Sequence, residues 1–162
     1  MNKNNLFNLN NISYSLRIKT LKSIYNAGSG HIASSLSLSE ILTSLFFYIM
    51  KIDHKNKKTI DKFVLSKGHG VPILYAVFEE LGWISTNELE NTLRKVGSRL
   101  QGHPDKTSLD ILDSGTGSLG QGLSISLGYA LSSKINGNQN KSYCVIGDGE
   151  MQEGQIWEAA MY

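Results

Sequence analysis

The segment that most constrains the fold is a short run, 142–146, which is followed by an acidic residue between two glycines. The run Ser-Tyr-Cys-Val-Ile has the apolar character of a central, buried strand. Asp148 follows between Gly147 and Gly149, which predicts a tight turn where that strand ends. Ligands of α/β proteins bind at the carboxyl ends of parallel strands. The segment therefore predicts a ligand site next to Asp148.

A second short strand is predicted at 62–66, where Lys-Phe-Val-Leu-Ser leads into the turn Gly68-His69-Gly70. Predicted helices alternate with the two strands along the chain. Parallel strands need such crossover helices, which cover the faces of the sheet. We therefore predict an α/β fold with a mainly parallel sheet and helices on both faces.

The helices are predicted from apolar residues at helical spacing. Ser37 with Glu40, and Ser85 with Glu88, have the spacing of a capping box, which marks a helix start. Residues 97–122 are rich in glycine and show little apolar periodicity, so a long and functional loop is expected there. The predicted helices cover 12–25, 37–49, 72–81, 85–96 and 123–131.

Composition limits the classes to which the protein can belong. A chain of 162 residues with 40% hydrophobic residues is expected to form one domain, 12–162, after an asparagine-rich segment, 1–11, that is irregular or disordered. A net charge of +2 argues against a nucleic-acid or membrane partner. The single Cys144 indicates a reducing, cytoplasmic compartment. No secretory signal and no segment of transmembrane length are expected.

The turn around Asp148 has two interpretations. Glycines let a backbone approach a phosphate closely, and a carboxylate can hold a magnesium ion that neutralises phosphate charge. Alternatively, Asp148 is only the N-cap of the next helix. Glu153, five residues further on, is expected on sequence alone to be an exposed acid.

The stretch Gly115–Gly120 matches the letters of a dinucleotide fingerprint, Gly-x-Gly-x-x-Gly. Such a fingerprint needs an acidic residue about twenty positions later, whereas this chain has Ile135 there. Nicotinamide binding is therefore disfavoured, and an approach to phosphate remains open.

Three histidines stand beside glycine, namely His31, His69 and His103. All three fall in predicted loops or strand ends, so they could converge on one pocket as hydrogen-bond donors and proton carriers. A structural role in loops is the alternative for each of them. A zinc site is a weaker alternative, because the histidines are far apart in sequence and lack the close pairs of helical zinc motifs.

Five segments taken together resemble the transketolase family, and the resemblance extends over 12–162. It is closest to the enzymes whose two halves are separate subunits. It implies the thiamine diphosphate-binding fold, here the N-terminal section or subunit. The segments that carry it are 28–31 (Gly-Ser-Gly-His), 63–70 (Phe-Val-Leu-Ser-Lys-Gly-His-Gly), 102–104 (Gly-His-Pro), 117–122 (Gly-Ser-Leu-Gly-Gln-Gly) and 147–150 (Gly-Asp-Gly-Glu).

The resemblance implies roles around the cofactor. Asp148 would bind the magnesium or calcium ion that bridges the diphosphate, and Gly149 would pack against the phosphates. Gly117, Ser118 and Leu119 would line the cofactor.

The resemblance also implies catalytic roles. His69 would contact the diphosphate and the substrate, while His31 and His103 would bind sugar hydroxyls and assist proton transfer. Glu153 matches a buried acid of the family's proton relay, which reverses the expectation from the sequence alone.

The implied reaction transfers a two-carbon ketol unit between sugar phosphates in carbohydrate metabolism, such as the pentose phosphate pathway. Family members often have proline and glycine after the first histidine, whereas this chain has Ile32 and Ala33. Deoxyxylulose phosphate synthase is therefore the nearest enzymatic alternative. It ranks second because its usual patterns lack the combination of 66–70, 102–104 and 119–122.

The resemblance further implies missing parts, so the domain is expected to be incomplete at its C-terminus. An asparagine metal ligand would lie beyond Tyr162, and the pyrimidine-binding domain would come from the missing part or a separate chain. A complete enzyme would be a homodimer or heterotetramer, and this chain alone is expected to be inactive. The other alternative is a truncated, non-catalytic chain that acts only as an assembly partner.

Overall fold

Residues 3–162 are described by a computed structural model, with side chains from residue 6 onward. They form two compact units, and each unit is described by itself. Unit 1 comprises the chain up to Met50 together with His69–Gly102, and unit 2 comprises Lys51–Gly68 and His103–Tyr162. The outer limits predicted for the thiamine diphosphate domain stay a prediction.

Unit 1 is helical and is built around a long first helix, α1. α1 packs against the third, fourth and fifth helices. The most apolar of these is α4, whose residues from Val71 to Phe78 are all buried. The helices are α1 (Lys3–Ala27), α2 (Ile32–Leu36), α3 (Ser39–Ser44), α4 (Val71–Glu80) and α5 (Thr86–Thr92), with one wider helical turn at Leu45–Ile49.

The irregular segment expected over 1–11 is helical from Lys3. The sequence argued against a helix there because three of residues 6–11 are asparagine, which favours caps and turns over helix interiors. Further along, one face of α1 packs against the rest of unit 1. The buried residues of this face are Ser13, Leu16, Thr20, Ser23 and Ile24.

The helix predicted over 37–49 begins two residues later, at Ser39. It starts as α3 without a side-chain cap, continues into the wider turn at Leu45–Ile49, and is preceded by α2, which ends at Leu36. Glu40 does not complete a capping box, because its carboxylate accepts hydrogen bonds from Ser13 at 2.8 Å and from Arg17 at 2.6 and 2.8 Å.

The stretch Ile32–Ile49 is long and apolar enough to cross a membrane by length and composition, with a mean hydropathy of 1.5. This corrects the expectation that no segment approaches that length. The core helices of soluble proteins pass the same test. The stretch is not one continuous helix, since it is interrupted between α2 and α3.

α4 and α5 follow their predicted signals closely. Pro72 lies in the first turn of α4, and Gly82 follows its end with a φ of +72°. The hydroxyl of Ser85 accepts a hydrogen bond from the N–H of Glu88 at 3.1 Å, so this capping position is confirmed. α5 ends at Thr92, earlier than predicted, and Val96 lies fully exposed beyond it.

Unit 2 contains a two-stranded parallel sheet, β3 with β4, and a small antiparallel hairpin, β1 with β2. Phe63 pairs with Tyr143 and Leu65 with Val145, so both parallel strands end at the same edge. α6 packs on both strands, and α7 packs on α6. The elements are β1 (Ile52–Asp53), β2 (Lys58–Thr59), β3 (Lys62–Leu65), β4 (Ser142–Val145), α6 (Gln121–Ile135) and α7 (Gly154–Met161).

Two predictions about burial in unit 2 are wrong. In β4, predicted as a central strand, only Val145 is buried, since β3 is its single pairing partner within residues 3–162. In α6, predicted as a buried helix, only Gly122 and Ser126 are buried.

The long glycine-rich loop is held in place by a buried carboxylate, that of Asp113. One oxygen accepts hydrogen bonds from the Thr59 hydroxyl at 2.6 Å and the Phe63 N–H at 2.9 Å, and the other pairs with the Lys62 ammonium at 2.8 Å. The Tyr129 hydroxyl donates to the Asp113 carbonyl at 2.5 Å. These contacts fix the loop against β3 and α6, so a segment without secondary structure is nevertheless ordered.

Candidate functional site

The carboxyl ends of β3 and β4 carry two glycine turns, 117–120 and 147–149. Both turns lie in unit 2, and the strand ends are joined by a hydrogen bond from the Ser66 N–H to the Val145 carbonyl at 2.9 Å. The first turn is also tied to β3, because the Thr116 hydroxyl donates to the Leu65 carbonyl at 2.6 Å. This is the edge at which the sequence predicted a ligand site.

The first turn depends on two glycines. Gly120 has a φ of +86°, a left-handed conformation that glycine adopts without strain, and it directly precedes α6. Gly122 lies so close to β3 that an added Cβ would be 2.4 Å from the Ser66 side chain. The start of α6 therefore packs directly on the end of β3.

In the second turn, Asp148 stands at the N-cap position of a short turn of helix, Gly149–Gln152, but its side chain makes no capping hydrogen bond. The N-cap alternative is thus not realised by its carboxylate. The side chains around the turn leave room, since nothing lies within 4 Å of a Cβ added at Gly149. Asp148 and Gly149 are both exposed. A carboxylate beside an open glycine backbone suits a metal-bound diphosphate.

Lys67 brings a positive charge to the same edge, which the sequence analysis did not single out. It is 9% exposed, and its side-chain carbons lie 3.6–3.7 Å from a Cβ added at Gly147. Burial lowers the pKa of its ammonium, and the charges of Asp148 and Glu150 oppose that shift. The edge therefore carries a cation whose charge interacts with those of two carboxylates.

Glu150 is the other residue that sequence reasoning passed over. Its side chain is 3% exposed and accepts three hydrogen bonds. The donors are the Ser66 hydroxyl at 2.5 Å, the Gly120 N–H at 2.9 Å and the Gly147 N–H at 2.9 Å. The only signal in the sequence was its place at the end of the 147–150 motif.

The remaining predicted residues of unit 2 lie around the first turn. The ring of His103 is 3.3 Å from a Cβ added at Gly117. Ser118 is exposed, and Leu119 is 38% exposed. Glu153 is exposed and its Cβ lies 2.8 Å from a Cβ added at Gly120. The exposure of Glu153 agrees with the expectation from the sequence alone, and its role in a relay stays a prediction.

Unit 1 contains the other two predicted histidines and brings them together. The rings of His31 and His69 are edge to face, with centroids 5.1 Å apart and planes at 65°. His31 is exposed at the start of α2, where its carbonyl accepts hydrogen bonds from the N–H and hydroxyl of Ser35 at 3.0 and 2.8 Å. His69 lies in the turn Gly68–Gly70 that opens α4.

Within residues 3–162, no cluster of three or more His, Cys, Asp or Glu side chains is placed to hold a metal ion. The zinc alternative therefore has no support in the described residues. Asp148 would supply only one carboxylate, so a metal ion there would need further oxygen ligands, such as those of a diphosphate.

Comparison with known proteins assigns this arrangement to a family. Residues 9–162 match the model of the transketolase thiamine diphosphate-binding domain. The chain belongs to the transketolase family. The family resemblance, the α/β fold class and the thiamine diphosphate cofactor predicted from the sequence are confirmed at this level.

Individual relatives agree with the family. The chain is 46% identical to the 6-deoxy-6-sulfo-D-fructose transketolase subunit SqwG of Clostridium sp. (strain MSTE9), over 91% of this chain and 54% of that protein. It is 44% identical to the human transketolase, over 91% of this chain and 24% of that protein. The crystal structure of the Campylobacter jejuni transketolase superposes with a TM-score of 0.85 and 32% identity, over 93% of this chain and 25% of that one. The chain thus spans about half or a quarter of the length of these relatives.

Proposed function

We propose that this chain is the diphosphate-binding part of a transketolase, an enzyme that transfers a two-carbon ketol unit between sugar phosphates. The observation that carries the proposal concerns the sheet in unit 2. The carboxyl ends of β3 and β4 carry two glycine turns, and Asp148 in the second turn has an exposed carboxylate. The chain's similarity to a subunit, of which it spans 54%, supports a two-subunit enzyme.

The residues of this edge fit thiamine diphosphate. Asp148 would bind a magnesium or calcium ion, and Gly149 offers backbone without a side chain in the way. Gly117, Ser118 and Leu119 would line the cofactor. Thiamine diphosphate, when bound, would supply the carbon nucleophile and a cationic thiazolium ring that serves as electron sink.

The histidines would act on the substrate. Their imidazoles can donate hydrogen bonds to sugar hydroxyls and can take up or release a proton near neutral pH. His31 and His103 would bind the hydroxyls and assist proton transfer, while His69 would contact the diphosphate and the substrate. Glu153 would become the relay carboxylate of the assembled enzyme.

The partner in this proposal is a pyrimidine-binding domain or subunit, and the complete enzyme is a homodimer or heterotetramer. The reaction would belong to carbohydrate metabolism, such as the pentose phosphate pathway. We place it in the cytoplasm because the single Cys144 is typical of a reducing compartment.

The proposal is tested by calorimetric titration with thiamine diphosphate and Mg²⁺ of the complex between this chain and the pyrimidine-binding subunit of a two-subunit transketolase. Asp148→Asn should weaken binding by at least about 10-fold, because even residues that only support metal ligands have effects of that size. Glu158→Gln is the matched control, since Glu158 is an exposed acid in α7. Binding that is absent in the wild-type complex, or unchanged in Asp148→Asn, would contradict the proposal.

Activity requires the partner. The chain is co-expressed with the pyrimidine-binding subunit of a two-subunit transketolase, and ketol transfer between sugar phosphates is followed with and without thiamine diphosphate. Cofactor-dependent transfer is expected only from the complex. A complex that forms without any transfer would indicate a non-catalytic assembly partner.

A further inference from the structure

The carboxylate of Glu150 connects three separate segments of unit 2. One of its oxygens accepts from the Ser66 hydroxyl at 2.5 Å and the Gly120 N–H at 2.9 Å. The other accepts from the Gly147 N–H at 2.9 Å. The Ser66 hydroxyl in turn accepts from the Gly122 N–H at 3.1 Å. One side chain therefore links the end of β3, the first turn and the second turn.

An acid is chemically required at this position. Glu150 is 3% exposed, and a buried charge is stable only when donors replace the lost water. An ionised carboxylate is an acceptor at both oxygens, so it can satisfy donors on both sides at once. A glutamine of the same shape has one acceptor end, and its other end is an NH₂ donor. Only the acid can hold both turns.

The two linked turns are the ones that the proposed function assigns to the cofactor. Gly120 directly follows the 117–119 segment, and Gly147 directly precedes Asp148. Fixing these two N–H groups to one carboxylate fixes the spacing of the two turns. A binding site that is held in place before its ligand arrives loses less conformational entropy on binding.

We propose that Glu150 is a positioning residue, which sets the spacing of the 117–120 and 147–149 turns in the unliganded protein and so favours thiamine diphosphate binding. This inference rests on the proposed function. Glu150 itself is turned inward and bonded to protein donors, so it is not assigned to the cofactor or the metal ion. Its effect is exerted through the two turns.

The test compares Glu150→Gln with the wild-type chain and with Glu158→Gln. The glutamine oxygen can still accept from Ser66 and Gly120, while its NH₂ group meets the Gly147 N–H. Amide hydrogen exchange is measured by NMR on the chain without ligand. The dissociation constant for thiamine diphosphate with Mg²⁺ is measured by calorimetry on the complex of each protein with the pyrimidine-binding subunit. Thermal unfolding of all three proteins separates a local effect from general destabilisation.

In Glu150→Gln, exchange at the Gly147 amide should be faster by about 10- to 100-fold, the range for a buried N–H without an acceptor. Exchange at Gly120 should change less. The dissociation constant should rise about 10-fold, since the same hydrogen bond holds the second turn for the cofactor. Glu158→Gln should match the wild type in all three measurements.

Unchanged exchange at the Gly147 amide in Glu150→Gln overturns the inference. Faster exchange with an unchanged cofactor affinity also overturns it, because Glu150 would then have a structural role alone. In both cases the wild type still binds cofactor, so the proposed function survives. Absence of binding to the wild type instead refutes both together. If Glu150→Gln does not fold, Ser66→Ala is tested in its place. Because it removes one hydrogen bond to the Glu150 carboxylate, it should weaken cofactor binding about threefold or more. An unchanged affinity of Ser66→Ala overturns the inference.

Discussion

Gly122→Ala should strongly destabilise unit 2, because the first turn of α6 touches β3 without any space for a side chain. A Cβ at this position would lie 2.4 Å from the Cβ and Oγ of Ser66 and 2.6 Å from its Cα. The Cα of Ser66 is part of the backbone, so it cannot rotate away as the end of a long side chain could. The overlap can be relieved only if α6 shifts away from β3. This shift also breaks the hydrogen bond from the Gly122 N–H to the Ser66 hydroxyl.

The size of the effect follows from two costs. Overpacking of a rigid contact costs about 1–3 kcal/mol. The lost hydrogen bond leaves a buried N–H without an acceptor, which costs about 1–3 kcal/mol more. Together they lower the free energy of unfolding by about 2–6 kcal/mol. For a chain of this length that corresponds to a fall in Tm of roughly 4–24 °C.

Gly128→Ala is the matched control, because Gly128 lies in the same helix with nothing within 4 Å of an added Cβ. Alanine in a helix interior is favoured over glycine by about 0.5–1 kcal/mol, so this variant should be slightly more stable than the wild type. Thermal unfolding is followed by circular dichroism at 222 nm. Equal Tm values for Gly122→Ala and the wild type would refute the contact between α6 and β3.

Three further predictions concern stability and reactivity. Asp61 is buried and accepts from the N–H groups of Lys51 and Lys141 at 2.8 and 2.9 Å, so Asp61→Asn should lower the free energy of unfolding in urea by about 1–3 kcal/mol. An unchanged urea midpoint would contradict it. Ser85→Ala removes the α5 cap and should cost about 1 kcal/mol by the same assay, whereas a cost near zero would show that the cap contributes nothing. Partial burial, with the nearby charge of Glu150, raises the pKa of the Cys144 thiol from 9 to about 12. Iodoacetamide at pH 8 should therefore alkylate the folded protein much more slowly than the unfolded one, and stability should fall as pH rises above 9 towards 12. Equal alkylation rates would refute the raised pKa.

Signals that act over a few residues were readable in the sequence. The cap of α5 needs only Ser85 and the N–H three residues later, and both are fixed by local chain geometry. The two parallel strands were readable because they are short apolar runs that end in glycine turns. These same turns place Asp148 where the sequence predicted it.

Signals that depend on distant residues were not readable. Ser37 and Glu40 have capping-box spacing, but Glu40 bonds to Ser13 and Arg17 of α1 instead. That competition is invisible without the fold. The start of α1 was missed for a different reason. Three of residues 6–11 are asparagine, which favours caps and turns over helix interiors, so the local pattern argued against a helix there.

Asp148 and Glu150 show the same contrast between what neighbouring residues predict and what only the fold reveals. Asp148 and Glu150 are two carboxylates two residues apart, and the sequence drew attention to Asp148 because glycines flank it. The structure separates their roles by environment. Asp148 is exposed and caps no helix, so its oxygens are available to a cation, whereas those of Glu150 are occupied by three protein donors. In the two proposals made above, the negative charge that binds a metal ion and the negative charge that holds the turns therefore come from different residues. Removing the first charge should leave the turns in place, so Asp148→Asn should weaken cofactor binding without faster exchange at the Gly147 amide.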